Sequence, residues 1–143
     1  MAATMQVEIV GAEKSIFSGT AEFVVVRAEK GELGILPRHA PMITRLEPGA
    51  VRVENKDGSD RKSFFVSGGM IEILPDGVTV LADTVLRAED LDEKSAQEAK
   101  DRAKQILSDP SRKMGPDYAQ ARTALVEASA QIRMIQRIRK EVR

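Results

Sequence analysis

Few residues in this sequence have the type and spacing that covalent chemistry requires. Gly31-Glu32-Leu33-Gly34 carries the glycines of a phosphate loop, but no Lys-Ser/Thr pair and no helical pattern follow it. Two turn glycines permitting positive φ explain the spacing better. His39 is the single histidine and would be the general base of a small hydrolase, with Asp83 as its acid. No serine or cysteine nucleophile motif accompanies it, so a packing or interface role fits His39 better. Asp76 and Glu72 offer Asp83 a carboxylate partner, yet all three fall around strand ends and turns, where acids are ordinary. Asp90, Asp92 and Glu93 could gather a cation, but capping a helix accounts for them more simply. Nothing here amounts to an active site, and the chain reads as a non-enzyme.

Composition narrows the function further. The 143 residues hold 22 Lys plus Arg and 22 Asp plus Glu, a formal net charge of zero. That balance gives no global drive towards nucleic acid, which favours basic domains. With no cysteine, a disulfide scaffold, a thiol nucleophile and a Cys-based zinc site are all excluded. The length suits one domain, or one small domain with an appendage. No stretch approaches the ~20 apolar residues of a membrane-spanning helix. Met1 to Val10 has no basic n-region, so a secretory signal is not expected and a bacterial cytoplasm is.

The elements that must carry these residues fall into two halves. Up to about Ala88 the hydrophobic period is two. Met5, Val7 and Ile9 alternate with Gln6 and Glu8, as in a half-buried strand. Phe23 to Val26 reads as a strand buried on both faces. Val51 and Val53, the turn Asn55-Lys56-Asp57-Gly58 and the return Ser63 to Val66 make a hairpin. Met70 to Leu74, Pro75-Asp76-Gly77 and Val78 to Leu81 make another. Strands at this spacing predict a small sandwich or barrel.

After Ala88 the period becomes helical. Asp90 with Glu93 three residues on resembles a capping box. Ala96, Ala99, Ala103, Ile106 and Leu107 then share a face, until Ser108-Asp109-Pro110 ends the helix. Ser111 to Asp117 reads as a loop. A second helix runs from Asp117 or Tyr118 to the end, with Tyr118, Ala121, Leu125, Ala128, Ile132, Ile135 and Val142 as its seam. The fold class expected is therefore an all-β N-terminal sandwich or barrel over residues 1–88, then a C-terminal antiparallel α-helical hairpin over 89–143. Helices of about 18 and 26 residues span roughly 27 and 39 Å, so pairing from the loop leaves the tail of the second overhanging. In that tail Arg133, Arg137, Arg139, Lys140 and Arg143 face only Glu141, giving residues 132–143 a net +4 and the rest of the chain −4. An apolar seam running into a basic helix end looks built to meet something else, though a solvated helix end suited to its own dipole accounts for it equally well.

Gly31-Glu32-Leu33-Gly34-Ile35-Leu36-Pro37-Arg38-His39-Ala40-Pro41 resembles the epsilon-subunit family of the rotary ATP synthase. Ser67-Gly68-Gly69-Met70-Ile71-Glu72-Ile73-Leu74-Pro75 and Val78-Thr79-Val80-Leu81-Ala82-Asp83 match it in order and spacing, as does Asp117-Tyr118-Ala119-Gln120-Ala121 in the second helix. The resemblance spans nearly the whole chain and implies a β-sandwich followed by a helical hairpin. It also implies a non-catalytic place in the central stalk, where the sandwich sits on the gamma subunit and the c-ring. Glu32 is then the residue expected at the c-ring, and His39 at gamma or the ring.

By the same resemblance the hairpin is regulatory, either folding against the sandwich or extending into the catalytic head, where it blocks ATP hydrolysis. Arg122, Arg133 and Arg137 are expected to face an acidic segment of the beta subunit beside alpha, with Ile132 and Ile135 packing. The membrane is met only through the complex, at the cytoplasmic face of the bacterial inner membrane. Two departures stand out. Many relatives have glycine where this chain has Arg38. Their nucleotide motif, Ile/Leu-Asp-x-x-Arg-Ala, reads here Leu91-Asp92-Glu93-Lys94-Ser95-Ala96. Asp92 and Ala96 persist, but Ser95 replaces the arginine, and Glu127 and Gln131 stand where some ATP-binding relatives carry arginine. Lys94 and Arg102 are the cations left nearby. No cofactor is required, and ATP binding by the isolated subunit is not expected; the alternative is an ATP-sensing hairpin.

Overall fold

A computed structural model describes residues 3–112, with the side chain of Arg112 excepted, and 115–141. Val142 and Arg143, read above as the end of the seam and of the basic run, lie outside the described residues. The chain divides into two compact units, Met1–Glu89 and Asp90–Arg143.

The first unit is all β. Its strands are β1 (Met5–Val10), β2 (Ser15–Ala21), β3 (Phe23–Ala28), β4 (Gly31–Ile35), β5 (Met42–Leu46), β6 (Gly49–Glu54), β7 (Lys62–Val66), β8 (Gly69–Leu74), β9 (Gly77–Leu81) and β10 (Val85–Arg87). They form one sheet in the order β10-β7-β6-β3-β5-β8-β9-β1-β2, with β4 paired to β3 off that path. The two expected hairpins are present, β6–β7 with Val53 opposite Lys62 and β8–β9 with Leu74 opposite Gly77. β1 pairs β9 in parallel, a long-range union that no local pattern announces.

The sheet folds on itself until its two ends meet. Arg87 of β10 donates from Nη2 to the Ile16 carbonyl of β2 at 2.7 Å, and Phe17 of β2 lies 5.4 Å from Phe64 of β7, ring centre to ring centre. Inside are Met5, Val7 and Ile9 with Val24, Val51, Ile71 and Val80, each buried branched side chain contributing about 1.5–3 kcal/mol. Alternation therefore decides which side faces in. Val24, Val25 and Val26 are all buried, as a strand covered on both faces requires.

One expectation fails here. Gly31 and Gly34 are not turn residues but part of β4, which pairs with β3 from Val24 opposite Ile35 to Ala28 opposite Gly31. Only Gly31 has positive φ, +121°. Gly34 fits for another reason: a Cβ there would lie 3.1 Å from the ring of Phe23, which would have to give way.

The second unit is two helices, α1 (Glu93–Ser108) and α2 (Pro116–Glu141). The cap differs from the one read in the sequence. Ala88–Asp90 forms a 3-10 turn, so Asp90 is not the N-cap; Asp92 is, its side chain accepting from the Lys94 amide. The seam holds, with Ala96 and Ala103 buried on α1 and Ala121, Ala128 and Ile132 on α2. Ala130 and Met134 are buried as well, away from that seam. The hairpin is antiparallel, with Arg139 near the end of α2 ion-paired to Glu93 at the start of α1. That pair corrects the expectation of an unpaired tail, since Arg137 in turn reaches Glu141 at 3.8 Å.

Candidate functional site

The sandwich presents its candidates around β4. Glu32 is exposed on β4, opposite Arg27 of β3. His39 lies in the loop beyond the other end of β4, half-buried, with Nδ1 donating to the Ala40 carbonyl at 2.7 Å. From Glu32 to Ile35 the strand alone covers roughly 10 Å, so the two residues mark separate points rather than one site. The His39 loop is tied down by the Arg38 amide, which donates to the Pro75 carbonyl at 2.8 Å. Arg38 sits at φ +68°, the left-handed conformation in which an arginine costs about 1 kcal/mol more than glycine. Around this loop and the β8–β9 turn the apolar residues Leu36, Met42 and Leu74 stand exposed at 46%, 40% and 43%. A fixed, partly apolar loop end suits protein contact.

It does not suit hydrolysis. Asp76 lies in the turn that precedes β9, beside the Arg38–Pro75 bond, whereas Asp83 follows β9. The strand between them spans roughly 17 Å, so His39 and Asp83 do not form an acid–base pair. Among the described residues no cluster of three or more His, Cys, Asp or Glu could hold a metal ion.

At the start of α1, both carboxylate oxygens of Asp92 are engaged. Oδ1 accepts from the Lys94 amide at 3.2 Å and Oδ2 from the Ser95 hydroxyl at 2.7 Å. The Ser95 hydrogen bond, with help from the Lys94 and Ser95 amides and the Lys94 charge, holds the carboxyl below its ordinary range. Ala96 is a buried seam residue, 3% exposed. The residues that survive from the nucleotide motif are thus occupied in building the helix terminus.

On α2, Arg122, Val126, Arg133 and Arg137 fall within about 60° of one another at 100° per residue, and Arg122, Val126 and Arg133 are exposed. Ile132 and Ile135 lie on another side of the helix: Ile132 is 7% exposed and Ile135 half-buried. The arginines are presented in this conformation, whereas Ile132 is reached only if the packing around it opens. Sequence reading missed the Glu93–Arg139 pair, because its members are far apart in the chain. Their position at the two helix ends of an antiparallel hairpin is the signal that could have found it.

The family described as "ATP synthase, Delta/Epsilon chain, beta-sandwich domain" matches residues 4–88, and "ATP synthase, Delta/Epsilon chain, long alpha-helix domain" matches residues 89–136. An ATP synthase epsilon chain of Thioalkalivibrio sulfidiphilus is 54% identical over 143 residues, covering 100% of both chains. One of Nitrosococcus oceani is 53% identical over 142 residues, 99% of each. Among solved structures, a chain in the mitochondrial ATP synthase of Euglena gracilis superposes with TM-score 0.71 at 16% identity, covering 99% of this chain and 82% of that one. That likeness is one of fold; the family rests on the sequence matches. With both units matched in order and relatives above half identity over their full length, the chain belongs to the delta/epsilon-chain family of ATP synthase, a non-catalytic subunit of that complex.

Proposed function

We propose that the chain is a central-stalk rotor subunit that couples c-ring rotation to the catalytic head and restrains ATP hydrolysis through its two helices. The observation that carries the reading is the pairing of a closed β unit with a separate helical unit, each matched to its family counterpart. A nearly closed barrel is a rigid body suited to fixed attachment. A hairpin packed largely through alanine is suited to rearrangement, because two states of such a unit need differ by only a few kcal/mol. Glu32 meets the c-ring, and His39 with its apolar surroundings meets the gamma subunit or the ring. Arg122, Arg133 and Arg137 meet an acidic segment of the beta subunit, with alpha adjacent, while Ile132 and Ile135 supply apolar contact once exposed. The subunit is peripheral, at the cytoplasmic face of the bacterial inner membrane, and touches the membrane only through the complex. No helix among the described residues is long and apolar enough to cross it. Ending the chain after Glu89 is expected to leave the complex assembled and to raise its ATP hydrolysis severalfold. Unchanged hydrolysis, under conditions that restrain the intact complex, removes the inhibitory role while leaving the coupling role standing.

ATP is not a ligand of the isolated subunit in this reading. Support comes from Ser95, which supplies no charge for a phosphate and instead hydrogen-bonds Asp92. Titration calorimetry at millimolar ATP is expected to give no binding heat. Saturable heat would instead favour an ATP-sensing hairpin.

A further inference from the structure

The hairpin has little apolar material to hold it shut. On α1 the buried residues are Ala96 and Ala103 alone among the described residues, and an alanine methyl contributes far less than a leucine. At the open end, away from the connecting loop, stands the Arg139–Glu93 ion pair. Glu93 is the first residue of α1 and Arg139 lies in the last turn of α2. Each charge is therefore already favoured by its own helix dipole, and antiparallel packing brings the two helix ends together. Asp92 turns its oxygens to the Lys94 amide and the Ser95 hydroxyl, and it is Glu93 that meets Arg139.

We propose that Glu93 and Arg139 form a clasp that sets the balance between the closed and the opened hairpin, making that balance sensitive to ionic strength rather than to nucleotide. The inference rests on the regulatory reading of the hairpin given above. Both side chains are about half exposed, 54% for Arg139 and 41% for Glu93, so the pair is open to screening by salt. It is also small enough in energy to be reversed when the hairpin has something better to bind. A buried pair would lock the hairpin; an exposed one biases it. The helix seam supplies the remaining closure.

Amide hydrogen exchange across α1 in the full-length chain tests this, using Glu93→Gln, Arg139→Gln and the two combined. Each single substitution is expected to lower protection roughly two- to fivefold at low salt, the span of an exposed ion pair. The double variant should lose no more than either single one, and about 0.5 M salt should bring the parent to the level of the variants. Two outcomes overturn the clasp. Unchanged protection means the pair contributes nothing; additive losses mean each charge acts only on its own helix end. Hydrolysis by the assembled complex is read separately, so loss of the regulatory reading and loss of the clasp are distinguishable.

Discussion

Replacing Gly69 with alanine is expected to destabilise the β unit by about 4 kcal/mol, combining backbone strain with overpacking. Gly69 opens β8, between β5 and β9, with Leu46 opposite it on β5. Its φ of +145° belongs to glycine. A Cβ there would lie 2.0 Å from the Leu81 carbonyl oxygen and 2.9 Å from Ala82 Cα, both backbone atoms of the neighbouring chain segment. Backbone cannot rotate aside as a long side chain does, so β8 and β9 would have to part. A loss of this size is a large share of the stability of a small domain, about 5–15 kcal/mol. Thermal unfolding followed on the β-sheet amide I band should show the midpoint lowered by roughly 20 °C, or a chain that fails to fold. Gly31→Ala is the control: φ there is +121°, but nothing lies within 4 Å of the place its methyl would take. It carries strain without collision and should cost far less. Equal midpoints for the two variants would show that the collision at Gly69 is relieved cheaply.

The same contrast explains what is legible in the sequence. β1, most of β6, and β8–β9 are readable because their buried positions recur every second residue, and the two hairpins because their turns carry Asp-Gly. β7 reads instead as the apolar run Phe64 to Val66, all buried. β4 is not readable, because only Leu33 and Ile35 carry its alternation, and the reason for Gly34 is the Phe23 ring on another strand. Turn glycine and strand glycine look alike until the partner strand is known. β2 has only Ile16 and Phe17 as large apolar residues and ends the strand order, where one exposed flank relaxes the pattern. Its closure by Arg87 depends on a bond between distant positions.

The candidate surfaces divide in the same way. Arg122 and Arg133 fall to one side of the alanine seam, where helical spacing leaves a charge exposed, whereas the burial of Ala130 and Met134, also off the seam, does not follow from that spacing. The net charge of the tail is legible, but not its pairing. Counting residues 132–143 sets five cations against Glu141 alone, whereas folding supplies Glu93 from the far end of the unit. Helix ends are fixed by local hydrogen bonds, and here the 3-10 turn Ala88–Asp90 moves the cap from Asp90 to Asp92. A capping box read two residues early is the ordinary consequence of several acids in succession.

Glu54 is the second position where one substitution should matter greatly, and alternation could not have found it. It ends β6 directly after Val53, and both are buried, so the strand's two-residue rhythm breaks there. Among the described residues Glu54 is the buried charged side chain, 5% exposed. Its carboxylate accepts from Arg61 Nε at 2.5 Å and lies 3.8 Å from Arg52 Nη2. Arg52 Nε is itself buried without a hydrogen-bond partner among the described residues, so its guanidinium leans on Glu54 for compensation. Removing the carboxylate takes the counter-charge from Arg52, whose Nε is already unsatisfied, the costly direction in which to break a buried pair. Because Arg61 is 33% exposed and Arg52 18%, water recovers part of that cost. Glu54→Ala is therefore expected to lose about 3 kcal/mol, read as a lower urea midpoint at unchanged slope. Arg61→Ala should lose clearly less, since Glu54 keeps Arg52 and gains access to water. Glu54→Gln should fall between the parent and Glu54→Ala, because its amide oxygen still accepts from Arg61 but carries no charge. If Arg61→Ala proves as damaging as Glu54→Ala, the cost lies in the pair itself rather than in the buried Arg52 that loses its counter-charge. If Glu54→Ala behaves like a surface substitution, the buried carboxylate is dispensable and the hairpin end is held by the Glu22 amide bond to the Glu54 carbonyl, 3.2 Å long.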